Sequence, residues 1–389
     1  MHTTTRHLGL TALVILIAHC SRPAAALDPK EWTVVYELSA KIDVSVDPDR
    51  LFHGPAAARA PNGDWLVCYQ DSIDHGGRDG VITQVRSTDE GRTWKKDGIV
   101  FDQRKDEKHH FARNPAYGVT GDGQIILFVQ RWLPSKDKSN EGIKASVWLT
   151  SRDNGQTYRY RGVIDTAVPL RHGGTNSPIL RHRGVMMAPA VSPNVDPVYG
   201  IPFYTLTDPE KGWQHGSTIF RSDELGVETL SYGSLITRSD GSLLAQCLTY
   251  SRNFQSVSRD DGRTWSRPRR LKDLDIRNNA DLDYAGNVLV AHGRGADARS
   301  VVVYFSPDEG KSWGYPIVLD RLGFYGWGGY SASLRTEDGD LFIVFSTDAG
   351  PNTGENGGKP DVRGVLLSDV RIRRRLPGQK LRDIPGSSD

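Results

Sequence analysis

The chain has 389 residues, a formal net charge of +2, 41 glycines, 9 tryptophans and 37% hydrophobic residues. This near-neutral balance gives no basis for nucleic acid or an anionic membrane as a partner. Three cysteines are too few for a disulfide scaffold, so a core must stabilise the fold, and the glycine-rich composition is typical of an all-β protein with many turns.

The N-terminal residues 1–26 are predicted to be a secretory signal peptide. A basic stretch with Arg6 precedes an apolar run from Leu8 to Ala18, and small residues end the segment at Ala26. The apolar run is too short to span a bilayer, and no later segment is long and apolar enough to do so. The sequence therefore predicts a secreted or periplasmic protein, with a lipid-modified Cys20 as the alternative.

Four later segments share the pattern S-x-D-x-G-x-[ST]-aromatic. The pattern is typical of a hairpin turn in which the aspartate accepts backbone hydrogen bonds, the glycine takes a positive φ and the aromatic ring packs beneath. A decayed copy, from Thr207 to Trp213, lies within the widest gap between copies. The full copies are Ser87–Trp94, Ser151–Tyr158, Ser258–Trp265 and Ser306–Trp313.

Strand repeats of about 50 residues that carry one such turn each are typical of a β-propeller. A sixth strand set, residues 331–346 with 363–370, follows without the turn, and residues 32–46 could supply the outer strand that closes the ring. We therefore expect a six-bladed propeller over residues 27–372 and a solvated, basic and polar tail over residues 373–389. Cys68 and Cys247 fall at matching strand positions and are predicted to be buried thiols.

The repeated turns resemble the Asp boxes of the sialidase superfamily. In that superfamily the boxes join the third and fourth strands of successive blades, on the face opposite the active site. The resemblance covers nearly all of the chain after residue 26, and it implies an all-β, six-bladed propeller of the sialidase type. The boxes themselves are structural, so the chemistry must come from the opposite face.

Residues on that opposite face can be found by register. The inner strand of each blade starts there, nine or ten residues before the glycine of its first hairpin turn. Counting back gives polar residues able to take part in chemistry at these starts. They are His53, Arg113, Thr175 (with Asn176 beside it), Tyr232, Arg277 and Tyr330.

The resemblance assigns catalytic roles to two of the residues on this face. Tyr330, in the context Tyr330–Leu334, matches the tyrosine nucleophile of sialidases, which replaces the usual carboxylate because the sugar carries its own carboxylate at the reacting carbon. Asp74, in the loop after the second strand of the first blade, matches the acid/base, with Asp79 as the second candidate.

Two positions depart from the sialidase pattern. His53 stands where the first arginine of the carboxylate-binding triad is expected, and Tyr232 stands where a glutamate polarises the nucleophile. Several arginines on the same face could still bind an anionic sugar, because guanidinium pairs with carboxylate in a bidentate manner. These candidates are Arg113, Arg252, Arg277, Arg294 and Arg299.

Three functions remain open from the sequence. The first is an exo-acting glycoside hydrolase on sialic acid or a similar terminal acidic sugar. The second is a propeller enzyme of other chemistry, such as a rhamnosidase or a lyase on uronic acids, for which His53, Tyr232 and Arg113 would supply a base and a cation. The third is a non-catalytic carbohydrate-binding propeller. In each case we expect a monomer with a glycan or oligosaccharide ligand, no cofactor and no metal site.

Overall fold

The computed structural model describes residues 28, 31–47, 49–73, 79–105, 111–132, 144–164, 177–190, 192–195, 198–228, 230–249, 252–322, 328–347 and 361–374. The predicted signal peptide, Asp74, Thr175 and Asn176 lie outside these residues. No helix in the described part of the chain is long and apolar enough to span a membrane.

The described strands form six antiparallel sheets, which are the blades of the propeller. Blade 6 takes its outer strands from the start of the chain, β1 (Trp32–Leu38) and β2 (Ile42–Ser45). Blade 1 then consists of β3 (Leu51–Arg59), β4 (Trp65–Ser72), β5 (Val81–Ser87) and β6 (Lys95–Phe101). Blade 2 consists of β7 (Phe111–Val119), β8 (Ile125–Trp132), β9 (Lys144–Ser151) and β10 (Arg159–Val163).

Blade 3 has five strands, β11 (Leu180–His182), β12 (Val185–Pro189), β13 (Ser192–Val195), β14 (Val198–Leu206) and β15 (Gln214–Arg221). The one-turn helix α1 (Ser222–Leu225) follows it. Blade 4 consists of β16 (Ser231–Thr237), β17 (Leu243–Thr249), β18 (Arg252–Ser258) and β19 (Arg269–Leu271).

Blade 5 consists of β20 (Ile276–Ala285), β21 (Val288–Gly295), β22 (Ser300–Ser306) and β23 (Gly314–Arg321). Blade 6 is completed by β24 (Ser331–Arg335), β25 (Leu341–Ser346) and β26 (Val362–Arg374). Strand β26 pairs with both β1 and β2, so the two ends of the described chain close the ring in one sheet, as predicted.

The core of the molecule lies between the blades. Six clusters of buried apolar side chains are present in the described residues, and each one joins two successive blades. The cluster containing Phe52 and Trp65 from blade 1 and Phe342 from blade 6 closes the circle. Because burial of apolar area is the main favourable term in folding, every blade depends on both of its neighbours. The fold is therefore a six-bladed β-propeller.

The predicted turns join the third and fourth strands of their blades. In blade 1, Asp89 accepts hydrogen bonds from the Thr93 amide (2.9 Å) and hydroxyl (2.6 Å), and the Ser87 hydroxyl accepts from the Gly91 amide (2.8 Å). Blades 2, 4 and 5 repeat these contacts. Gly91 has a φ of 84°, as the turn requires.

One boundary differs from the sequence prediction. Strand β26 continues to Arg374, whereas the tail was expected to begin at residue 373. The strand is longer because Arg373 and Arg374 pair with Thr33 and Trp32 of β1, which extends the last sheet beyond the region covered by β25. The side chains of both arginines are exposed. Cys68 and Cys247 are buried free thiols on the second strands of blades 1 and 4, as expected.

Candidate active site

The inner-strand starts lie at the end of the propeller opposite the Asp boxes. In blade 1, His53 pairs with Gln70, whereas Ser87, which begins the Asp box, pairs with Trp65 at the other end of the sheet. Tyr330 directly precedes β24, whose far end at Arg335 reaches the box side. Five of the six inner-strand starts predicted from the sequence thus occupy this end, and Thr175 is outside the described residues.

A β-bulge occurs at the start of four inner strands. Register shifts follow His53 in β3 and Arg113 in β7, and they also interrupt the pairing around Tyr232 and Arg277. A bulge turns a side chain away from the regular pleat, which is why bulges are common beside active sites. The repeated x-[GN]-P-A sequence at His53 and Arg113 encodes two of these bulges, with the residue before the proline at positive φ.

Three predicted residues from three different blades come together at this end. The hydroxyl groups of Tyr330 (blade 6) and Tyr232 (blade 4) are 2.8 Å apart. The imidazole of His53 (blade 1) packs edge-on against the Tyr330 ring, with centroids 4.3 Å apart. His53 and Tyr330 are 0% and 5% exposed, and Tyr232 is half-buried. We call these three residues the tyrosine–histidine cluster.

The backbone of Tyr232 has an unfavourable conformation. Its φ is 49°, in the left-handed region that an aromatic residue rarely adopts. Such a conformation costs about 1–3 kcal/mol, and it occurs mainly where a side chain must be aimed at a functional position. The left-handed turn is part of the bulge that brings the Tyr232 hydroxyl to Tyr330, so the fold accepts strain to build this contact.

The candidate arginines occupy different environments at this end. Arg294 is 4% exposed, and its guanidinium donates to the Ala298 carbonyl (2.9 Å and 3.2 Å). Arg252 and Arg299 are exposed and lie at the hairpins after the second strands of blades 4 and 5. Arg113 and Arg277 are half-buried on their inner strands. Their roles in ligand binding remain predictions.

The acidic residues of the first-blade loop are paired with an arginine that the sequence analysis did not identify. Arg50 forms ion pairs with Asp71 (2.5 Å) and Asp79 (2.8 Å). Partial burial raises the pKa of Asp79, but the Ile73 amide and the Arg50 guanidinium outweigh it, so the pKa is below its usual range. Asp79 is therefore a poor proton donor, and this favours Asp74, outside the described residues, as the acid.

A buried polar group lies directly beneath Tyr330. The next residue, Ser331, has its hydroxyl 2.8 Å from Nδ1 of His292, and His292 pairs across strands with Asp281. All three are 0% exposed. Burial lowers the pKa of His292 to about 4 and raises that of Asp281 well above its usual range. His292 lies within β21, inside the sheet.

No group of three or more histidine, cysteine or acidic side chains within the described ranges is arranged to hold a metal ion. The tyrosine–histidine cluster and the candidate arginines supply phenol, imidazole and guanidinium groups. These groups can transfer protons, stabilise anions and, for a phenolate, attack an electrophilic carbon.

Comparison with known proteins agrees with this architecture. Residues 63–343 match the family model described as BNR repeat-like domain, so the chain belongs to that family. A curated sialidase from Micromonospora viridifaciens is 24% identical over 338 residues, which cover 77% of this chain and 50% of the relative. The chain thus spans about half the length of the curated relative that it matches.

Solved structures show the same fold. A protein of unknown function from Dyadobacter fermentans superposes with a TM-score of 0.69 at 12% identity, covering 86% of this chain and 99% of the other. A Hadza microbial sialidase gives a TM-score of 0.62 at 16% identity, covering 81% and 65%. Together, the fold and the family match place the chain in the sialidase-type superfamily.

Proposed function

We propose that the protein is a glycoside hydrolase that removes a terminal acidic sugar, such as a sialic acid, from glycans at the tyrosine–histidine cluster. The contact between the hydroxyls of Tyr330 and Tyr232 carries this proposal, because it gives the candidate nucleophile a polar partner at the end of the propeller opposite the Asp boxes. The family match and the likeness to sialidases support it.

In the proposed reaction the Tyr330 oxygen attacks the anomeric carbon as the glycosidic bond breaks. Asp74 gives its proton to the leaving oxygen, and water later releases the sugar from Tyr330. A neutral phenol is a weak nucleophile, since tyrosine ordinarily has a pKa near 10. Donation by the Tyr232 hydroxyl would stabilise the Tyr330 phenolate through a charge-assisted hydrogen bond. His53, whose imidazole contacts the Tyr330 ring, is the nearby group that would accept the proton.

The arginines would hold the sugar carboxylate. Arg252 and Arg299 lie at this end of the propeller on the adjacent blades 4 and 5. Arg113 would supply the positive charge that is missing because His53 stands in place of the first arginine of the triad. Convergent guanidinium groups would bind the sugar carboxylate and orient the anomeric carbon for attack. We further propose that the protein acts outside the cytoplasm after removal of residues 1–26.

A lyase acting on uronic acids is the second candidate. The observation that favours it is Tyr232 in place of a glutamate, which leaves a tyrosine pair and a histidine without a carboxylate in the described part of the cluster. Such groups can remove the proton next to a carboxylate and protonate the leaving oxygen by elimination, without a covalent intermediate.

The two candidates are separated by their products. A fluorogenic α-sialoside should release its fluorophore with the wild-type protein, and uronic acid polymers should give no increase in ultraviolet absorbance from unsaturated sugars. The Tyr330→Phe variant serves as the matched inactive control. Absorbance growth on a uronate polymer, without cleavage of the sialoside, would overturn the hydrolase in favour of the lyase. Absence of both signals would leave a carbohydrate-binding propeller.

A further inference from the structure

A cationic pocket lies on the face opposite the tyrosine–histidine cluster, between blades 4 and 5. It measures about 440 Å³, and its lining contains Arg238, Arg267, Arg269 and Lys311 but no acidic residue. Lys311 belongs to the Asp box of blade 5, and Arg267 follows the Asp box of blade 4. The pocket is therefore on the box side of the propeller, away from the proposed reaction.

The cations of this pocket are poorly neutralised. Arg267, Arg269 and Lys311 form no ion pair within the part of the chain that the structure describes, whereas Arg238 lies 3.5 Å from Asp240. The nearest Asp-box carboxylate, Asp308, is already held by the Ser312 amide and hydroxyl, both at 2.8 Å. The charges of Asp308 and Asp273 still act on the Arg269 guanidinium. The remaining guanidinium and ammonium groups around this concave surface attract anions.

A buried amide adds to the donor character of the pocket. Gln255 is 4% exposed, and its side-chain oxygen accepts a hydrogen bond from Arg269 at 2.9 Å. This contact fixes the orientation of the amide, and the Gln255 Nε2 has no partner within the described chain. Arg269 also donates to the Gly310 carbonyl at 2.9 Å, which holds its guanidinium at the pocket wall.

The equivalent junction between blades 1 and 2 is built differently. Gln84, three residues before its Asp box like Gln255, donates to Asp97 (2.7 Å) and to the Gly155 carbonyl (2.9 Å). Asp97 also pairs with Arg86 at 2.9 Å, so charge is balanced there. In blade 4 the position of Asp97 is taken by Pro268. The Gly310 carbonyl, which corresponds to that of Gly155, accepts a hydrogen bond from Arg269 instead of from the glutamine. Blade 4 thus lacks the acid, and its cation at this junction is Arg269, whereas blade 1 has the Arg86–Asp97 pair.

The cationic surface continues onto the flank of blade 4. A second pocket of about 650 Å³ shares Ser266 and Arg267 with the first, and it adds Arg263, Arg270 and the half-buried Trp265. Glu224 is the acidic residue in its lining. Both volumes are within the range of small-molecule sites, and an indole beside arginines suits a sugar ring that carries an anionic group.

We propose that these two joined pockets form an anion-binding groove for an acidic glycan, whose carboxylate or sulfate groups would contact Arg267, Arg269 and Lys311. The groove would bind one part of the glycan chain while the tyrosine–histidine cluster acts on the terminal sugar. The choice of a glycan as the polymer rests on the proposed function, whereas the anion specificity rests on the charges of the groove.

The test measures binding of a heparin tetrasaccharide, which carries sulfate and carboxylate groups, by calorimetry at low and high salt. The double variant Arg267→Ala/Lys311→Ala should bind roughly tenfold more weakly or worse, because it removes two cations that would contact the anionic groups of the ligand. The control Arg92→Ala/Lys95→Ala removes the same two residue types from exposed positions at the box of blade 1, and it should change binding less than twofold. High salt should weaken the wild type more than the double variant.

Equal weakening in the two variants, or no binding of the tetrasaccharide by the wild type, would overturn the groove. Binding of inorganic sulfate alone, or of single-stranded DNA as tightly as the tetrasaccharide, would overturn the assignment to a glycan. Hydrolysis of a small sialoside needs no groove, so the double variant should keep the wild-type rate. For the wild type, hydrolysis of the sialoside without binding of the tetrasaccharide would contradict the groove alone. Binding of the tetrasaccharide without hydrolysis of the sialoside would contradict the proposed function alone.

Discussion

The two ends of the propeller follow opposite rules. At the Asp-box end, four turns repeat one set of hydrogen bonds, with a serine, an aspartate and a glycine in the same places each time. At the other end, the described inner-strand starts are His53, two arginines and two tyrosines, and four of these starts lie at a bulge. The repeated turns stabilise the four blades that carry them, and the polar residues at the other end supply chemical groups.

The comparison also extends to backbone strain. At the box end positive φ angles fall on glycines and turn residues, and also on Tyr315 (φ 51°), which lies in β23 directly after the box of blade 5. At the other end, positive φ falls on Tyr232, an aromatic residue whose hydroxyl contacts Tyr330. A positive φ on an aromatic residue thus occurs at both ends, and Tyr232 is distinguished by the contact between its hydroxyl and that of Tyr330.

The largest expected effect is a loss of turnover in the Asp74→Asn variant, which changes the end that carries the tyrosine–histidine cluster. If the end opposite the Asp boxes is catalytic, the variant should stay folded. Its turnover on glycosides with poor leaving groups should fall by roughly 10²- to 10⁴-fold, because these leaving groups need a proton from the acid. Activated aryl glycosides should lose far less. Parallel kinetics on both substrate types would check this, and an equal loss on both would make Asp74 structural.

Substitutions at the Asp-box end should instead lower the free energy of unfolding. A Cβ added at Gly91 would lie 2.8 Å from the Trp65 ring at a φ of 84°, so Gly91→Ala should lower the free energy of unfolding by about 3 kcal/mol. Gly212→Ala is the matched control, since Gly212 has a φ of 72° but no neighbour within 4 Å, and it should cost about 1 kcal/mol. Chemical denaturation measures both. Activity per folded molecule should not change in either variant, and comparable losses of stability would contradict the close packing.

A smaller difference between the two ends is expected in the pH at which each loses its contribution to stability. The folded state keeps His292 neutral down to a pKa of about 4, whereas an unfolded chain binds that proton near 6.5. Stability should therefore fall by up to about 3 kcal/mol as pH drops from 6.5 to 4, and His292→Gln should remove this fall. At the boxes the Thr264 hydroxyl and amide lower the pKa of Asp260 to about 2, so their contribution is present above pH 4 and lost only between about 4 and 2.

Urea unfolding across pH would separate these two windows. Asp281 acts in the opposite direction to His292, because its raised pKa makes the folded state retain a proton that the unfolded chain releases near pH 4. Stability linked to Asp281 is thus lost as pH rises, and Asp281→Asn should stabilise the protein near neutral pH. An unchanged pH profile in His292→Gln would show that His292 is not buried as a neutral group.

The sequence was sufficient for the architecture because the box end repeats. Four copies of one turn established the blade period, and the same period located His53, Arg113, Tyr232, Arg277 and Tyr330 at the other end. It could not predict that Tyr232 of blade 4 meets Tyr330 of blade 6, since that contact depends on a bulge and on side-chain reach across the propeller. Nor could it separate Arg50, which pairs with Asp71 and Asp79, from other surface arginines.

The groove of blade 4 could not be predicted for a related reason. The exchange of Asp97 for Pro268 between equivalent positions is visible when the repeats are aligned. Its consequence depends on packing between blades, because the cations of Arg267 and Lys311 come from different repeats and meet only when the ring closes. Local sequence therefore identifies the missing acid, and the tertiary structure identifies the pocket.

Turnover by Tyr330→Phe tests the central assignment most directly. The change removes one hydroxyl and keeps the ring that packs against His53, so fold and ligand affinity should be retained. We predict that kcat on the natural class of substrate falls by roughly 10³-fold or more, as expected for a lost nucleophile, and that no covalent sugar adduct forms. Arg252→Ala and Arg299→Ala should instead weaken binding, by about 2–5 kcal/mol if the carboxylate pair is desolvated. Near-full activity in Tyr330→Phe would contradict the assignment of this end as the reaction centre.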